Sequence, residues 1–241
     1  MGKIKYIGLL LIVAVLVSCS IKPKSVYTDE LENGCRVYDY YVDAHGNEGI
    51  VAAIFQPIDN DGVCILVISL DEASLRWGPM GEKVYQENTY VYGLSTASFG
   101  IAMLQSMKSR GISRYPAQEW CDQKNKDEAY VRGGSWHLPT VYEYERIFGE
   151  GGYKVDSLNA ALLKAGGVPI STSYMYWTCV EDIEKAWSFE NIKNTYDPEN
   201  RAVPMDYQIR SFTNRDHWLK KNWYNVRAVK YIYYEYKKDK K

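Results

Sequence analysis

Side chains able to catalyse a reaction or bind a metal are scattered through this chain of 241 residues without the spacing that such chemistry requires. The three histidines, His45, His137 and His217, stand far apart, and no H-E-x-x-H zinc motif joins any of them. The chain also lacks the G-x-S-x-G turn of serine hydrolases and a glycine-rich phosphate loop. We therefore expect each histidine to be exposed or hydrogen-bonded, and the sequence predicts no metal, no cofactor and no catalytic residue.

Carboxylates are the remaining candidates, because paired acids can bind calcium or hydrolyse glycosides. Three local pairs occur, Asp71-Glu72, Glu143-Glu145 and Glu181-Asp182. The chain contains 30 acidic residues, so close pairs are expected by chance. We interpret these acids as solvated or as caps of helices.

The first twenty residues have the layout of an export signal. Lys3 and Lys5 precede an apolar run from Ile7 to Val17, which is too short to cross a membrane by itself. The run ends in Leu16-Val17-Ser18-Cys19, which resembles the lipobox of bacterial lipoproteins. That resemblance implies a signal peptide over residues 1–18, followed by an acylated Cys19 and a tether over residues 19–34.

An acylated Cys19 would place the protein outside the cytoplasm, with the membrane as its first partner. Ser20 follows the cysteine where an aspartate would favour retention in the inner membrane, so the resemblance favours the outer membrane and leaves the leaflet open. The formal net charge of −1 gives no electrostatic reason to expect nucleic acid as a partner. We expect a lipoprotein of the cell envelope.

Four cysteines follow Cys19: Cys35, Cys64, Cys121 and Cys179. An exported protein can form disulfides, and four cysteines allow three complete pairings that spacing alone does not separate. No C-x-x-C motif indicates a redox or zinc site. Buried free thiols that act as small apolar side chains are an equally good interpretation.

The elements that must position these residues form one domain over residues 35–241. With 46% hydrophobic and 24% charged residues, the composition is that of a globular protein. Apolar and β-rich runs predict strands within residues 35–70, near residues 174–179 and 185–189, and a single final strand from Trp223 to Tyr234. The polar stretch from Asn191 to Trp218 is predicted to be a long loop.

Helices are predicted between these groups of strands. Apolar residues recur at helical spacing from Phe99 to Met107, and Pro116 can open a second helix. Thr140 followed by Glu143 is a capping-box pattern that starts a third helix. A fourth begins near Asp156 and ends at glycines 166 and 167. Strands, then helices, then strands predict an α+β fold.

Five segments occur in an order that resembles the DUF1566 family, the Lcl C-terminal domain of bacterial surface and secreted proteins. They are Ile68–Pro79, Tyr115–Cys121, Trp136–Thr140, Tyr174–Thr178 followed by Trp187, and Tyr224–Val229. The resemblance covers about residues 35–233. The chain departs from the family pattern at Tyr144, where a leucine is usual, and at Thr178-Cys179, where two small hydroxyl residues are usual.

The resemblance implies a C-type-lectin-like fold, distantly similar to that of formylglycine-generating enzymes. Such a fold has a mixed or antiparallel sheet, flanking helices and long loops, and its first and last strands pair. We expect Trp136, Trp177 and Trp187 to anchor the core, because large aromatic side chains dominate core packing.

Together these observations predict a non-catalytic, lipid-anchored protein whose C-type-lectin-like domain binds a glycan or an extracellular or envelope protein. Loops on a rigid scaffold carry function, and Tyr, Trp and Arg dominate binding hot spots. The candidate ligand-binding residues therefore lie in the long loop: Tyr196, Tyr207, Arg210, Arg215 and Trp218.

Two alternatives stay open. One is a structural subunit of a fimbrial or envelope complex. The other is an enzyme related to formylglycine-generating enzymes, or a glycosidase. The segment Gly133-Gly134-Ser135-Trp136 resembles a motif of the formylglycine-generating enzymes, but it stands before Leu138-Pro139-Thr140, whereas their motif lies far downstream. Their copper-binding cysteine pair has no clear counterpart, since Cys179 stands alone in the C-terminal part.

Overall fold

A computed structural model provides the structure of the protein. It describes residues 25–27, 34–56, 62–80, 84, 97–125, 134–148, 154–171, 175–181, 186–190 and 221–235. The strands are β1 (Ser25–Tyr27), β2 (Tyr40–Val42), β3 (Glu48–Phe55), β4 (Gly62–Ser69), β5 (Ala73–Arg76), β6 (Trp136–His137), β7 (Met175–Glu181), β8 (Ala186–Glu190), β9 (Trp223–Val226) and β10 (Val229–Glu235). The helices are α1 (Ala97–Ser109), α2 (Pro116–Asp122), α3 (Val141–Phe148) and α4 (Val155–Lys164), with a short 3-10 helix at Ile112–Arg114.

A large sheet with the strand order β1-β2-β3-β4-β10-β6 forms the centre of the molecule. The apolar run in β4 lies between β3 and β10 and is antiparallel to both. Ile65 and Val67 of β4 face one apolar cluster, while Leu66 and Ile68 face a second. Burial on both faces explains why this strand is apolar throughout and does not alternate with polar residues.

The helices cover the two faces of the large sheet separately. Residues of α3 and α4, including Tyr144, Phe148 and Leu158, pack in the cluster with Leu66 and Ile68. Met103 of α1 and Cys121 of α2 pack in the other cluster. The predicted positions of all four helices are confirmed, and α4 ends where Gly166 adopts φ of 80° and the Gly167 N–H donates to the Leu162 carbonyl.

A small sheet with the order β5-β9-β7-β8 carries the other strands. β9 is antiparallel to β5 and parallel to β7, and β8 is antiparallel to β7. The predicted strands near residues 174–179 and 185–189 are confirmed as β7 and β8. Largely antiparallel sheets with a few helices make the fold α+β, as predicted.

The prediction of one final strand from Trp223 to Tyr234 is wrong. The chain forms β9 in the small sheet, breaks at Arg227-Ala228, and continues as β10 in the large sheet. At the break the Ser69 N–H donates to the Ala228 carbonyl at 2.9 Å, and the Ala228 N–H donates to the Ser69 hydroxyl at 3.2 Å. The apolar pattern runs through this junction unchanged, because Val226 before the break and Val229 after it are both buried.

Two further features differ from the expected arrangement. The last strand, β10, pairs with β4 and β6, whereas the first, β1, pairs with β2, so the first and last strands do not pair. β1 also lies within the stretch expected to be a tether, where it runs parallel to β2. No helix within the described residues is long and apolar enough to span a bilayer.

Candidate functional site

The predicted contact residues of the long loop fall outside the described residues. These are Tyr196, Tyr207, Arg210, Arg215 and Trp218, and Cys19 also lies outside. The structure does describe the residues on either side of that segment. β8 ends at Glu190, opposite Met175, and Asn225 of β9 pairs with Tyr176. Glu190 and Lys221, the described residues that flank 191–220, therefore lie at the same end of the small sheet, where β7 begins.

The two faces of the small sheet differ in polarity. Leu75, Tyr224 and Val226 point inwards and pack in the apolar cluster with Trp177. Successive side chains of a strand point to opposite faces, so the residues between them point outwards. On this outer face Arg76 is directly opposite Trp223, and Ser74 is directly opposite Asn225.

Trp223 is the most exposed large hydrophobic residue among those that the structure describes, with 62% of its surface accessible to solvent. Arg76 and Ser74 are also exposed, and Asn225 is half-buried. A tryptophan normally buries its ring. A regular strand that presents an indole to water beside an arginine therefore indicates a surface suited to binding.

Towards the large sheet, the outer face ends in a buried polar network centred on Glu72. The Glu72 carboxylate accepts hydrogen bonds from the Tyr176 hydroxyl at 2.8 Å, the Asn225 amide at 2.8 Å and the Arg227 guanidinium at 2.9 Å. The interpretation of Glu72 as a solvated acid is wrong. Its sequence neighbour Asp71 is exposed and pairs with Lys124 at 2.6 Å. The different environments of these two adjacent acids arise from tertiary contacts alone.

Arg227 links this network to the sheet junction. Its side chain is fully buried and also donates to the carbonyl oxygens of Ser69 at 3.0 Å and Val168 at 2.8 Å. Burial, together with the negative charge of Glu72, raises the pKa of Tyr176 to about 12, so this phenol stays protonated and donates to the carboxylate. The network therefore fixes the outer face in position, and Arg227 is where the chain leaves the small sheet.

The capping box at Thr140 is confirmed and contains one more member than predicted. The Glu143 N–H donates to the Thr140 hydroxyl at 3.1 Å, and the Thr140 N–H donates to the Glu143 carboxylate at 2.8 Å. The same carboxylate lies 2.9 Å from Nε2 of His137. All three side chains are buried. His137 is thus hydrogen-bonded, as expected, although the sequence did not associate it with this cap.

Burial by itself lowers the pKa of His137, but the Glu143 carboxylate and the Ser135 carbonyl outweigh it and raise that pKa above its usual value. At Glu145, two residues further on, burial raises the pKa to about 7. The carboxylate of Glu143 is committed to the cap by its hydrogen bonds with His137 and Thr140.

Asp43 organises the turn before β3. Its carboxylate accepts hydrogen bonds from the His45 and Asn47 backbone N–H groups and from the Trp136 indole at 2.8 Å. Burial tends to raise the pKa of Asp43, but these hydrogen bonds and the nearby Lys230 lower it overall. Trp136 and Trp177 are buried, which confirms them as core anchors; the side chain of Trp187 lies outside the described part.

The segment Gly133-Gly134-Ser135-Trp136 has a structural role at Gly134. This residue adopts φ of 64°, and a Cβ there would lie 1.6 Å from the Tyr231 carbonyl oxygen. Only glycine allows this close approach of two backbones. Packing therefore explains the glycine at position 134.

The four described cysteines are free thiols. Cys64, Cys121 and Cys179 are buried and Cys35 is half-buried, so they act as small apolar side chains. Burial raises the pKa of Cys121 well above its ordinary value, which keeps this thiol protonated and unreactive. Among the described ranges, no three His, Cys, Asp or Glu side chains lie close enough together to hold a metal ion.

The fold has a counterpart among solved structures. It is similar to a fimbrial protein from Bacteroides ovatus ATCC 8483, with a TM-score of 0.56 and 14% sequence identity. The match covers 81% of this chain and 48% of that one, so the chain spans about half the length of the fimbrial protein. No family model matches the sequence, and no curated protein matches it. The likeness is one of fold, with α+β architecture in common.

Proposed function

We propose that this chain is a lipid-anchored protein of the cell envelope whose domain has a C-type-lectin-like fold and binds a glycan or a protein without catalysing a reaction. The observation that carries the proposal is the outer face of the small sheet. There Trp223 and Arg76 are exposed in register, and Glu190 and Lys221, which flank residues 191–220, lie at the same end of the sheet. A rigid sheet that displays an aromatic and a cationic side chain is a typical recognition surface.

The C-type-lectin-like assignment is supported by the five ordered segments and by what three of them do in the fold. Trp136 and Trp177 fill the core, Thr140 caps α3, and Arg227 joins the two sheets. The assignment would place the segment before β9 at the position of a long recognition loop. The pairing of β1 with β2, and not with the last strand, differs from the expected fold at the edge of the large sheet.

The proposed absence of catalysis is supported by the engagement of two acids from the candidate pairs, Glu72 and Glu143. Glu72 is committed to Arg227, and Glu143 to His137 and Thr140. A general acid or base needs a proton-transfer path to a substrate, and these groups are instead occupied by partners that stabilise the fold.

Crosslinking in living cells tests the binding surface. A photoreactive benzoylphenylalanine replaces Ser74, which is exposed beside Trp223, and in a control chain it replaces Arg110, an exposed residue after α1. We expect adducts with envelope material only from the Ser74 position. Equal labelling at both positions, together with no retention of the full chain on glycan and matrix-protein arrays, would contradict the proposal.

Metabolic labelling with a fatty acid tests the anchor. We expect the Cys19→Ala variant to lose the label and the Cys35→Ala variant to keep it, because only the former changes the lipobox cysteine. An unlabelled wild-type chain would remove the lipid anchor from the proposal while leaving the binding surface intact.

The fimbrial neighbour favours a second candidate, a structural subunit of a fimbrial or envelope complex. A fold shared with a fimbrial protein fits a chain whose domain builds an assembly. This candidate expects a stable, stoichiometric complex when intact cells are treated with a short crosslinker. A monomer that stays uncrosslinked at the envelope would oppose it.

A further inference from the structure

We infer that the outer face of the small sheet binds a carboxylate-bearing sugar, with Trp223 stacking on the pyranose ring and Arg76 pairing with its carboxylate. The inference rests on the proposed function, which makes this face the binding surface, and adds the chemical class of the ligand. It depends on one juxtaposition: an exposed indole and an exposed guanidinium directly opposite each other on neighbouring antiparallel strands.

The geometry suits a single sugar ring. Directly opposed residues of antiparallel strands have Cβ atoms about 5 Å apart. A pyranose has an apolar C–H face that can cover the indole of Trp223, while a carboxylate on its rim reaches the neighbouring strand. The planar guanidinium of Arg76 can bind that carboxylate through two parallel hydrogen bonds. Ser74 and Asn225 continue the face and offer a hydroxyl and an amide to ring hydroxyl groups.

Two observations favour a sugar over a protein. First, the neighbours of Trp223 that the structure describes on this face are polar, namely Arg76, Ser74 and Asn225, so the described apolar area is limited to one indole. A protein interface needs a larger apolar core. Second, the side chains of Arg76 and Trp223 make no hydrogen bond or ion pair within the described part of the chain, so both remain available to a ligand.

Charge favours an acidic sugar over a neutral one. Arg76 and Lys221, which lies two residues before Trp223, are both exposed. Of the acids that the structure describes, Glu72 lies on the same face, and its charge is balanced by Arg227 at 2.9 Å. The described part of the patch is therefore positive within a chain of formal net charge −1. An anion is attracted locally to a positive patch.

Calorimetric titration of the full chain in detergent tests the inference. The probes are oligogalacturonate, a hyaluronate tetrasaccharide and sialyllactose, each compared with its methyl ester, which keeps the ring and removes the charge. We expect at least one acid to bind and its ester to bind about tenfold more weakly. Trp223→Ala and Arg76→Gln should each weaken that binding about tenfold or more.

Matched controls are available on the same chain. Leu163 on α4 is 60% exposed, so Leu163→Ala removes a similarly exposed apolar side chain elsewhere, and Arg110→Gln removes an exposed guanidinium. Both controls should bind like the wild type. Trp223→Phe and Arg76→Lys should recover part of the affinity, which a general loss of folding would not allow.

Three results would overturn the inference. They are no binding of any acidic probe, equal binding of acid and ester, or binding that Trp223→Ala and Arg76→Gln leave unchanged. If no sugar binds but the Ser74 crosslinker captures a protein in cells, the acidic-sugar inference fails while the proposed function stands. If neither sugar nor crosslinked material is found, both fail.

Discussion

Two tryptophans on neighbouring strands of the small sheet have opposite environments. Trp177 on β7 is fully buried, donates its indole N–H to the Leu75 carbonyl at 2.9 Å, and lies 4.5 Å from the ring of Tyr224. Trp223 on β9 is 62% exposed. The same side chain thus stabilises the fold on one face of the sheet and is available to a ligand on the other.

Buried and exposed tryptophans also differ in the hydrogen bonding of the indole N–H. The buried residues Trp77, Trp136 and Trp177 each donate their N–H to an oxygen of the protein. A buried donor without a partner costs free energy, so each position in the core is built around an acceptor. The indole N–H of Trp223 has no such acceptor among the described residues. It needs none, because this exposed indole can donate to water. A tryptophan that the fold does not require is a better candidate for function.

The largest expected effect is the difference in stability between alanine variants of Trp177 and Trp223. Trp177→Ala should reduce the free energy of unfolding by about 3–5 kcal/mol, because it leaves a cavity between the sheets. Trp223→Ala should change it by less than about 0.5 kcal/mol, because the indole is exposed. Urea unfolding of both variants measures the difference. A loss above roughly 2 kcal/mol for Trp223→Ala would show that the outer tryptophan is structural too.

The next effect compares the adjacent acids at the rim of the small sheet. Glu72→Gln should destabilise the protein by about 2 kcal/mol, because it removes the charge that faces the buried Arg227. Asp71→Asn is the matched control and should cost less than about 1 kcal/mol, since the Asp71–Lys124 pair is exposed on the Asp71 side. Equal losses in urea unfolding would contradict a structural role that is particular to Glu72.

The pH dependence of stability distinguishes the core from the outer face. The pKa of His137 is raised in the folded protein, so its contribution is fully present below about pH 6.5 and is lost as the pH rises through the folded value. Glu143→Gln keeps the capping box but removes the charge that holds the imidazolium. We expect this variant to lose about 1.5 kcal/mol at acidic pH and to approach the wild type at alkaline pH.

Unfolding by urea at a series of pH values measures that difference. A constant gap between the wild type and Glu143→Gln across the series would contradict the sign assigned to His137. Binding at the outer face should not follow this profile, because His137 and Glu143 are buried in the cap of α3 and not on that face.

The smallest expected effect concerns Arg76. Arg76→Gln should leave the free energy of unfolding within about 0.5 kcal/mol of the wild type, because the guanidinium makes no described contact. The melting temperature should accordingly stay close to that of the wild type. Thermal unfolding followed by circular dichroism is sufficient. A clear destabilisation would assign Arg76 to the fold and weaken the comparison of the two faces.

Much of the fold could be predicted, because the signals were local. Apolar runs predicted strands within residues 35–70, where β2, β3 and β4 lie, and apolar spacing and caps predicted α1 to α4. The candidate site could not be predicted, since its residues come from separate parts of the chain. Arg76 and Trp223 are 147 positions apart in the sequence, and only the register of β5 with β9 brings them together. The predicted loop residues remain a prediction.

The sequence by itself determined the α+β class, the helices with their caps and the residues that must be buried, because hydrophobic periodicity and capping act over a few residues. Tertiary structure alone decided that the final apolar stretch divides between two sheets, that Glu72 is committed to Arg227 while Asp71 is exposed, and that Trp223 faces water. These outcomes depend on which strands become neighbours. Strand pairing joins residues that are far apart in the sequence, and the local sequence around each of them does not indicate its partner.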